Sequence, residues 1–169
     1  ARKPCAMNAA LLTCSDAGKN GMSHNMHRFV REHILPPAFA HAERPIVLNN
    51  WEATYFDFNE HKLLKLAREA AALGVELFVL DDGWFGARAS DKAGLGDYAV
   101  NAKKLPSGLA GLAQKINGLG MKFGLWMEPE MVSEDSDLYR AHPDWAVKTP
   151  GVEPSRGRNQ LVLDLCRAE

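Results

Sequence analysis

From residue 44 onward the apolar positions alternate between two periods. Ile46, Val47 and Leu48 form a short unbroken run, and then Leu63, Leu66, Ala67, Ala70 and Leu73 recur at helical spacing. The first pattern predicts a buried strand. The second predicts an amphipathic helix, capped by Asn59 and stopped by Gly74. The alternation then repeats. Residues 75–80 read as a second strand, and Ser107 caps a helix with Leu109, Leu112, Ala113, Ile116 and Leu119 inward and Gly120 at its end. Residues 121–127 read as a third strand. Strand, crossover helix and strand in succession mean a parallel sheet with right-handed connections, and near-continuous apolar strands need helices over them. The fold class is therefore α/β, either a barrel or a doubly wound sheet. No Gly-rich phosphate loop follows the first strand, which favours the opening portion of a (β/α)8 TIM barrel, incomplete in this chain.

The flanks follow other patterns. Residues 5–14 are loosely apolar behind Arg2 and Lys3, a faint imitation of a signal peptide, but Asn8 and Thr13 interrupt them and no cleavage site follows. A partial chain is the favoured expectation. Residues 15–21 read as a turn-rich loop, and Ser23 is expected to cap a short helix with Met26, Phe29, Val30 and Ile34 on one face. Pro36 and Pro37 end it, leaving residues 35–44 as a linker. Residues 128–160 are too long for a simple connection. They predict a short helix over 133–142, stopped by Pro143, then a Gly/Pro/Ser-rich loop and a last extended run over 161–165.

Composition narrows the partners. The 169 residues are 46% hydrophobic and 24% charged, with a net charge of −1. With no polybasic run, neither nucleic acid nor an anionic membrane is implied, and no apolar stretch of about 18 residues is present to span a bilayer. Small neutral ligands suit this balance. Cys5, Cys14 and Cys166 are odd in number and have no CxxC spacing, so reduced thiols in a cytoplasmic protein are expected.

Active sites of barrels lie at the C-terminal ends of the strands. Here those ends read Asn49-Asn50-Trp51-Glu52, Asp81-Asp82-Gly83-Trp84, and Trp126 followed by Glu128-Pro129-Glu130. Adjacent carboxylates offer lone pairs to neighbouring hydroxyls, and indoles offer flat apolar area to the C–H face of a pyranose. Asp81 and Asp82 directly follow an apolar strand, so a ligand or a cation must pair with them. Gly83 lets the chain turn just beyond. Trp51 and Trp126 read as pocket lining, Trp84 and Trp145 as core. Glu128 and Glu130 fit either a ligand contact or pairing with nearby Arg or Lys. The six histidines have no metal-binding spacing, and no cofactor is expected.

These residues resemble the large α-galactosidases of glycoside hydrolase family thirty-six, in the clan that also holds melibiases. The resemblance lies in Asn49-Asn50-Trp51-Glu52-Ala53-Thr54-Tyr55-Phe56, Leu80-Asp81-Asp82-Gly83-Trp84-Phe85-Gly86, Gly124-Leu125-Trp126-Met127-Glu128-Pro129-Glu130-Met131 and Gly157-Arg158-Asn159-Gln160-Leu161-Val162-Leu163-Asp164, with Asn20-Gly21-Met22-Ser23 and His27-Arg28-Phe29 upstream.

The resemblance implies a β-sandwich tail over residues 1–22, a connector over 23–44 and the N-terminal part of the catalytic barrel over 45–169. It implies that residues 161–165 belong to an excursion and not to a barrel strand. It also implies that Asp81 and Asp82 hold the galactose hydroxyls around C4 and C6, that Trp51 and Trp126 line the same subsite, and that Arg158 bonds a sugar hydroxyl.

The family's retaining chemistry needs a nucleophile after a Lys-Trp-Asp type strand and a separate acid/base. Neither motif occurs here, so the chain is expected to hold part of a galactose pocket without the catalytic carboxylates. The implied partners are α-galactoside oligosaccharides of the melibiose and raffinose type, and further copies of a homo-oligomeric parent. Two other readings compete: a non-catalytic carbohydrate-binding module, and a metal-dependent barrel enzyme gathering Asp81, Asp82, Glu128 and Glu130 around a cation. Three parallel strands leave two open edges. If Phe78 and Leu125 point into the barrel they lack an opposite wall, which would leave the isolated chain poorly stable.

Overall fold

A computed structural model describes residues 10–167, which fall into two compact units parting between Arg44 and Pro45. Cys5 and the first nine positions of the expected sandwich tail lie outside the described residues.

In the first unit, helix α1 spans Gly18–Phe29 and continues as a π-helical turn over Val30–Ile34, closed by Leu35 N–H donating to Val30 O at 2.9 Å. This corrects the expected loop over 15–21 and the expected cap at Ser23, which lies inside the helix. The early start depends on Gly21. A Cβ there would stand 2.1 Å from Ser15 Oγ and 2.9 Å from Ala17 Cβ, so the absence of a side chain admits the turn that leads into the helix. Pro36 and Pro37 stop the helix as expected, but Pro37 then opens a short helix α2, Pro37–Ala40, within the expected linker.

The second unit begins with strand β1, Val47–Asn49, a one-turn helix α3, Trp51–Thr54, and helix α4, Glu60–Ala72. Asn59 Oδ1 accepts the Lys62 N–H at 3.0 Å, the expected cap, and Gly74 follows the helix at φ +85°. Strand β2 is Leu77–Leu80, helix α5 is Gly108–Asn117 and strand β3 is Lys122–Leu125. Ser107 does not cap α5 with its side chain. Its hydroxyl is buried with no partner among the described residues, and its N–H donates instead to Glu60 Oε2 at 3.0 Å. Glu60 also accepts from Lys115 Nζ, so the start of α4 is clamped to α5.

The three strands form a parallel sheet in the order β1-β2-β3. Its register aligns Leu48, Phe78 and Phe123 on one face, with Leu80 and Leu125 one pleat further along the same face. Phe78 and Leu80 are fully buried there against Leu63, Ala67, Leu112 and Ile116, and Leu125 packs on the same core. The expectation that Phe78 and Leu125 might face a barrel interior is therefore corrected: they look toward the helices. The opposite face carries Val47, Asn49, Leu77, Val79, Lys122 and Gly124, all partly or well exposed. The architecture is α/β.

After β3 the chain makes an excursion. Strand β4, Met131–Ser133, pairs antiparallel with strand β5, Gln160–Val162, and between them lie helix α6, Asp137–Ala141, and a 3-10 turn, Pro143–Trp145. Val132, Ala146 and Leu161 make a small second core. The extended run expected over 161–165 thus pairs outside the parallel sheet. Strand β4 was not evident from the sequence. Asp97 fixes this excursion to the loop after β2, accepting the N–H groups of Asp137 and Leu138 at 2.9 and 3.0 Å. Among the described residues no helix is long and apolar enough to cross a membrane.

Candidate functional site

The register brings the three strands to a common C-terminal edge. Trp126 N–H donates to Leu80 O at 2.9 Å and Asn50 N–H to Val79 O at 3.2 Å, extending the ladders one residue past each strand. Asn50 is fully buried. Its Oδ1 accepts the Asp81 N–H at 2.8 Å while its Nδ2 donates to Thr54 Oγ1 at 2.8 Å, tying the first strand end to the second. Asn49 Nδ2 donates to Asp81 Oδ2, and Asn49 Oδ1 accepts the Trp51 N–H at 2.7 Å. The second oxygen of Asp81 accepts the Asp82 N–H at 2.7 Å. Asp81 is thus half-buried with its carboxylate oriented by neighbours on two strand ends.

Asp82 is buried, and its cation is Arg88. Nε donates to Oδ1 at 2.9 Å and to Oδ2 at 3.1 Å, and Nη2 donates to Oδ2 at 2.8 Å. The side chains are 0% and 3% exposed. Sequence reasoning required a ligand or a cation beside this carboxylate but did not name Arg88. The usable clue was an arginine six residues downstream in a Gly-rich loop. Gly83, at φ +95°, makes the turn after the pair, and a Cβ there would meet Phe56 Cδ1 at 2.9 Å. Lys104 Nζ then clasps the loops, donating to the carbonyls of Gly83, Phe56 and Arg88 at 2.7, 3.0 and 3.3 Å. Burial pushes the Lys104 ammonium down, and Asp82 and Asp57 pull it back.

Trp51 is half-buried and meets Tyr55 and Phe56 edge-on, each at 5.1 Å between centroids. Trp126 is half-buried against the main core. Trp84 is a core residue, 2% exposed, with Nε1 donating to Trp126 O at 3.0 Å. Trp145, expected in the core, is half-buried and stacks on His142 at 4.0 Å.

Glu128 donates its N–H to the Tyr98 hydroxyl at 3.2 Å, while its Oε2 is shielded from solvent with no partner among the described residues. Burial pushes its carboxyl up. The Arg158 charge opposes that, Glu130 adds to it, and Arg88 and Asp82 act more weakly in opposite directions. Arg158 is exposed at φ +53°, and its neighbour Asn159 reaches Asp91 with Nδ2 at 3.3 Å. Arg158 is close enough to act on Glu128 electrostatically, and it makes no ion pair within 4 Å among the described residues. Glu130 is exposed at the rim.

Among the described residues no three His, Cys, Asp or Glu side chains gather as a metal-binding group, and Asp82 is engaged by Arg88. A surface cavity of about 440 Å³ between Tyr139, Lys148 and Arg156 belongs to the excursion and shares no lining residue with the strand ends. What the strand ends offer is an oriented pair of carboxylates, with half-buried indoles on the segments that leave the two neighbouring strands, an acceptor and apolar set suited to a sugar.

The chain is similar to known proteins over most of its length. The alpha-galactosidase AgaA of Geobacillus stearothermophilus is 57% identical over 159 residues, covering 94% of this chain and 22% of that protein. A crystal structure of an AgaA variant in complex with raffinose superposes with a TM-score of 0.83 at 58% identity, covering 88% of this chain and 21% of that one. Another AgaA variant, in complex with stachyose, gives a TM-score of 0.85 at 58% identity over 91% and 21% of the two chains. The chain thus spans about a fifth of the length of the curated relatives it matches. The Melibiase family model matches residues 6–169, which include all the residues described above, and the chain belongs to that family.

Proposed function

We propose that this chain is the opening part of the (β/α)8 catalytic barrel of an α-galactosidase, preceded by a sandwich tail over 1–22 and a connector over 23–44. The observation behind this reading is the Asp81–Asp82 pair, held at the C-terminal edge of a parallel sheet by Asn49, Asn50 and Arg88. A barrel also accounts for the sheet's second face, where Leu77 and Val79 are partly open; further strands would cover it. In this reading Asp81 and Asp82 take the hydroxyls around C4 and C6 of galactose, Trp51 and Trp126 line its apolar face, and Arg158 closes on a further hydroxyl. The axial 4-hydroxyl is what a fixed carboxylate pair would discriminate.

The nucleophile and acid/base belong to other segments of the parent, which hydrolyses terminal α-linked galactose with retention. The substrate class is that of the raffinose and stachyose held by the related enzymes. A cytoplasmic setting rests on the cysteine usage alone, and a homo-oligomeric parent on the resemblance alone.

The test is kinetic. In the full-length parent, Asp81→Ala removes a charge-assisted partner of a sugar hydroxyl, costing about 3 kcal/mol, or about a hundredfold in kcat/KM on a nitrophenyl α-galactoside. Asp82→Ala should cost at least as much, because it also orphans Arg88. Near-parental kinetics in both variants would leave the pair a structural role and remove the galactoside reading.

A further inference from the structure

We infer that Arg88 is a positioning residue for sugar recognition: it fixes the plane of the Asp82 carboxylate so that Oδ1 keeps a lone pair free for a hydroxyl. This rests on the galactoside reading above. Arg88 is fully buried and is not placed to touch a ligand, so any effect it has on recognition must pass through Asp82. A carboxylate has about four lone-pair sites. The guanidinium approaches one edge of it, with Nε on both oxygens and Nη2 on Oδ2, which fills the sites of Oδ2 and one site of Oδ1 and leaves the second site of Oδ1 for another donor.

The fork is itself immobilised. Nη1 donates to Ala93 O at 3.1 Å, the Arg88 carbonyl accepts from Lys104 Nζ at 3.3 Å, and Cζ lies 5.6 Å from the centroid of the Phe56 ring. Gly94 packs against its backbone so closely that a Cβ would stand 2.9 Å from Arg88 N and 3.1 Å from its Cα. The fork that orients Asp82 is thus set before a ligand arrives, which lowers the ordering cost that binding must bear. Lysine could keep the charge but not the planar fork, so charge alone should not suffice.

The experiment uses the full-length parent with Arg88→Lys, and with Gly94→Ala as a variant that leaves every charge in place but displaces the Arg88 backbone. The expected result for Arg88→Lys is a KM for nitrophenyl α-galactoside raised about thirtyfold with kcat within about threefold, and for Gly94→Ala a KM raised about fivefold at unchanged kcat. Folding is checked by circular dichroism. If Arg88→Lys does not fold, Gly94→Ala decides. Parental KM in a folded variant would overturn the inference and make Arg88 a stability element. Asp81→Ala is run beside them: a crippled Asp81→Ala with parental Arg88→Lys removes only this inference, whereas a parental Asp81→Ala removes the galactoside reading itself.

Discussion

The loop after β2 and the loop that leads into β5 each carry a residue of the proposed pocket, and they are built in opposite ways. Residues 81–101 bury Asp82, Trp84, Phe85, Arg88 and Leu95, and their Arg–carboxylate pair is dry. Residues 147–159 are exposed throughout except for half-buried Pro154. Their arginine pair, Arg156 Nε to Glu134 Oε2 at 2.8 Å, sits in side chains 42% and 44% exposed. The bond lengths are alike, so the difference lies in solvent. Around Asp82 water cannot substitute for a missing partner; around Glu134 it can. One side of the pocket is therefore fixed by desolvated charge, and the other, with Arg158 and Asn159 both at positive φ, is held by contacts that water can replace.

The sharpest way to break this comparison is to remove the buried cation. Arg88→Met leaves the Asp82 carboxylate uncompensated in a dry site, a loss of about 3–5 kcal/mol. Pairing it with Asp82→Asn removes the second charge and should recover most of that. Urea unfolding of the two variants measures both. A single variant within about 1 kcal/mol of the parent would mean that water reaches Asp82 and that the two loops do not differ as described.

The clamp between α4 and α5 lies between these extremes and gives a smaller, pH-dependent effect. The Lys115 donation holds the Glu60 carboxyl below the usual range, burial opposes it, and Ser107 assists Lys115. A carboxylate held low when folded stabilises above its unfolded value of about 4.5 and loses that contribution as pH falls through the lower folded value. Glu60→Gln should therefore cost about 1 kcal/mol at pH 7, discounted because Lys115 is half exposed, and the gap to the parent should close in acid. Melts across pH 3 to 7 read this out; a gap that stays constant with pH would show that the charge on Glu60 contributes nothing.

How much could be read in advance follows the same division between local and distant causes. Asn59, Gly74 and the stripe of Leu63, Ala67 and Ala70 act within a turn or two of themselves, and the helix they predict is the helix that forms. Asp81 and Asp82 were legible as a candidate site because polar residues at the end of an apolar strand need an explanation wherever the chain goes next. Arg88 was not, because its approach to Asp82 depends on how Gly83 and Gly86 turn the intervening chain and on Lys104 closing it from further along. Ser107 misled because its backbone sits at φ −88°, ψ 3°, outside the extended geometry from which a capping hydroxyl reaches the first turn, while its N–H is bonded to Glu60 on another helix. The start of α1 was missed because glycine was read as a breaker, where Gly21 in fact admits a close approach. Strand β4 has three residues and pairs with a segment almost thirty positions on, leaving no local period to detect.

The smallest expected effect belongs to the exposed arginine. Glu134 raises the Arg156 pKa, with Glu153 assisting, so the pair is charged at any working pH, but both groups are already well hydrated. Removing Arg156 exchanges ion-pair contacts for water and releases a long side chain, and these terms oppose each other. Arg156→Ala should leave the melting temperature within about 2 °C of the parent at both low and high salt. The size of that shift calibrates the whole comparison. If Arg156→Ala lowers the midpoint as far as Arg88→Met does, solvent exposure does not decide what an arginine–carboxylate pair contributes here, and the rigid and replaceable sides of the pocket are one and the same.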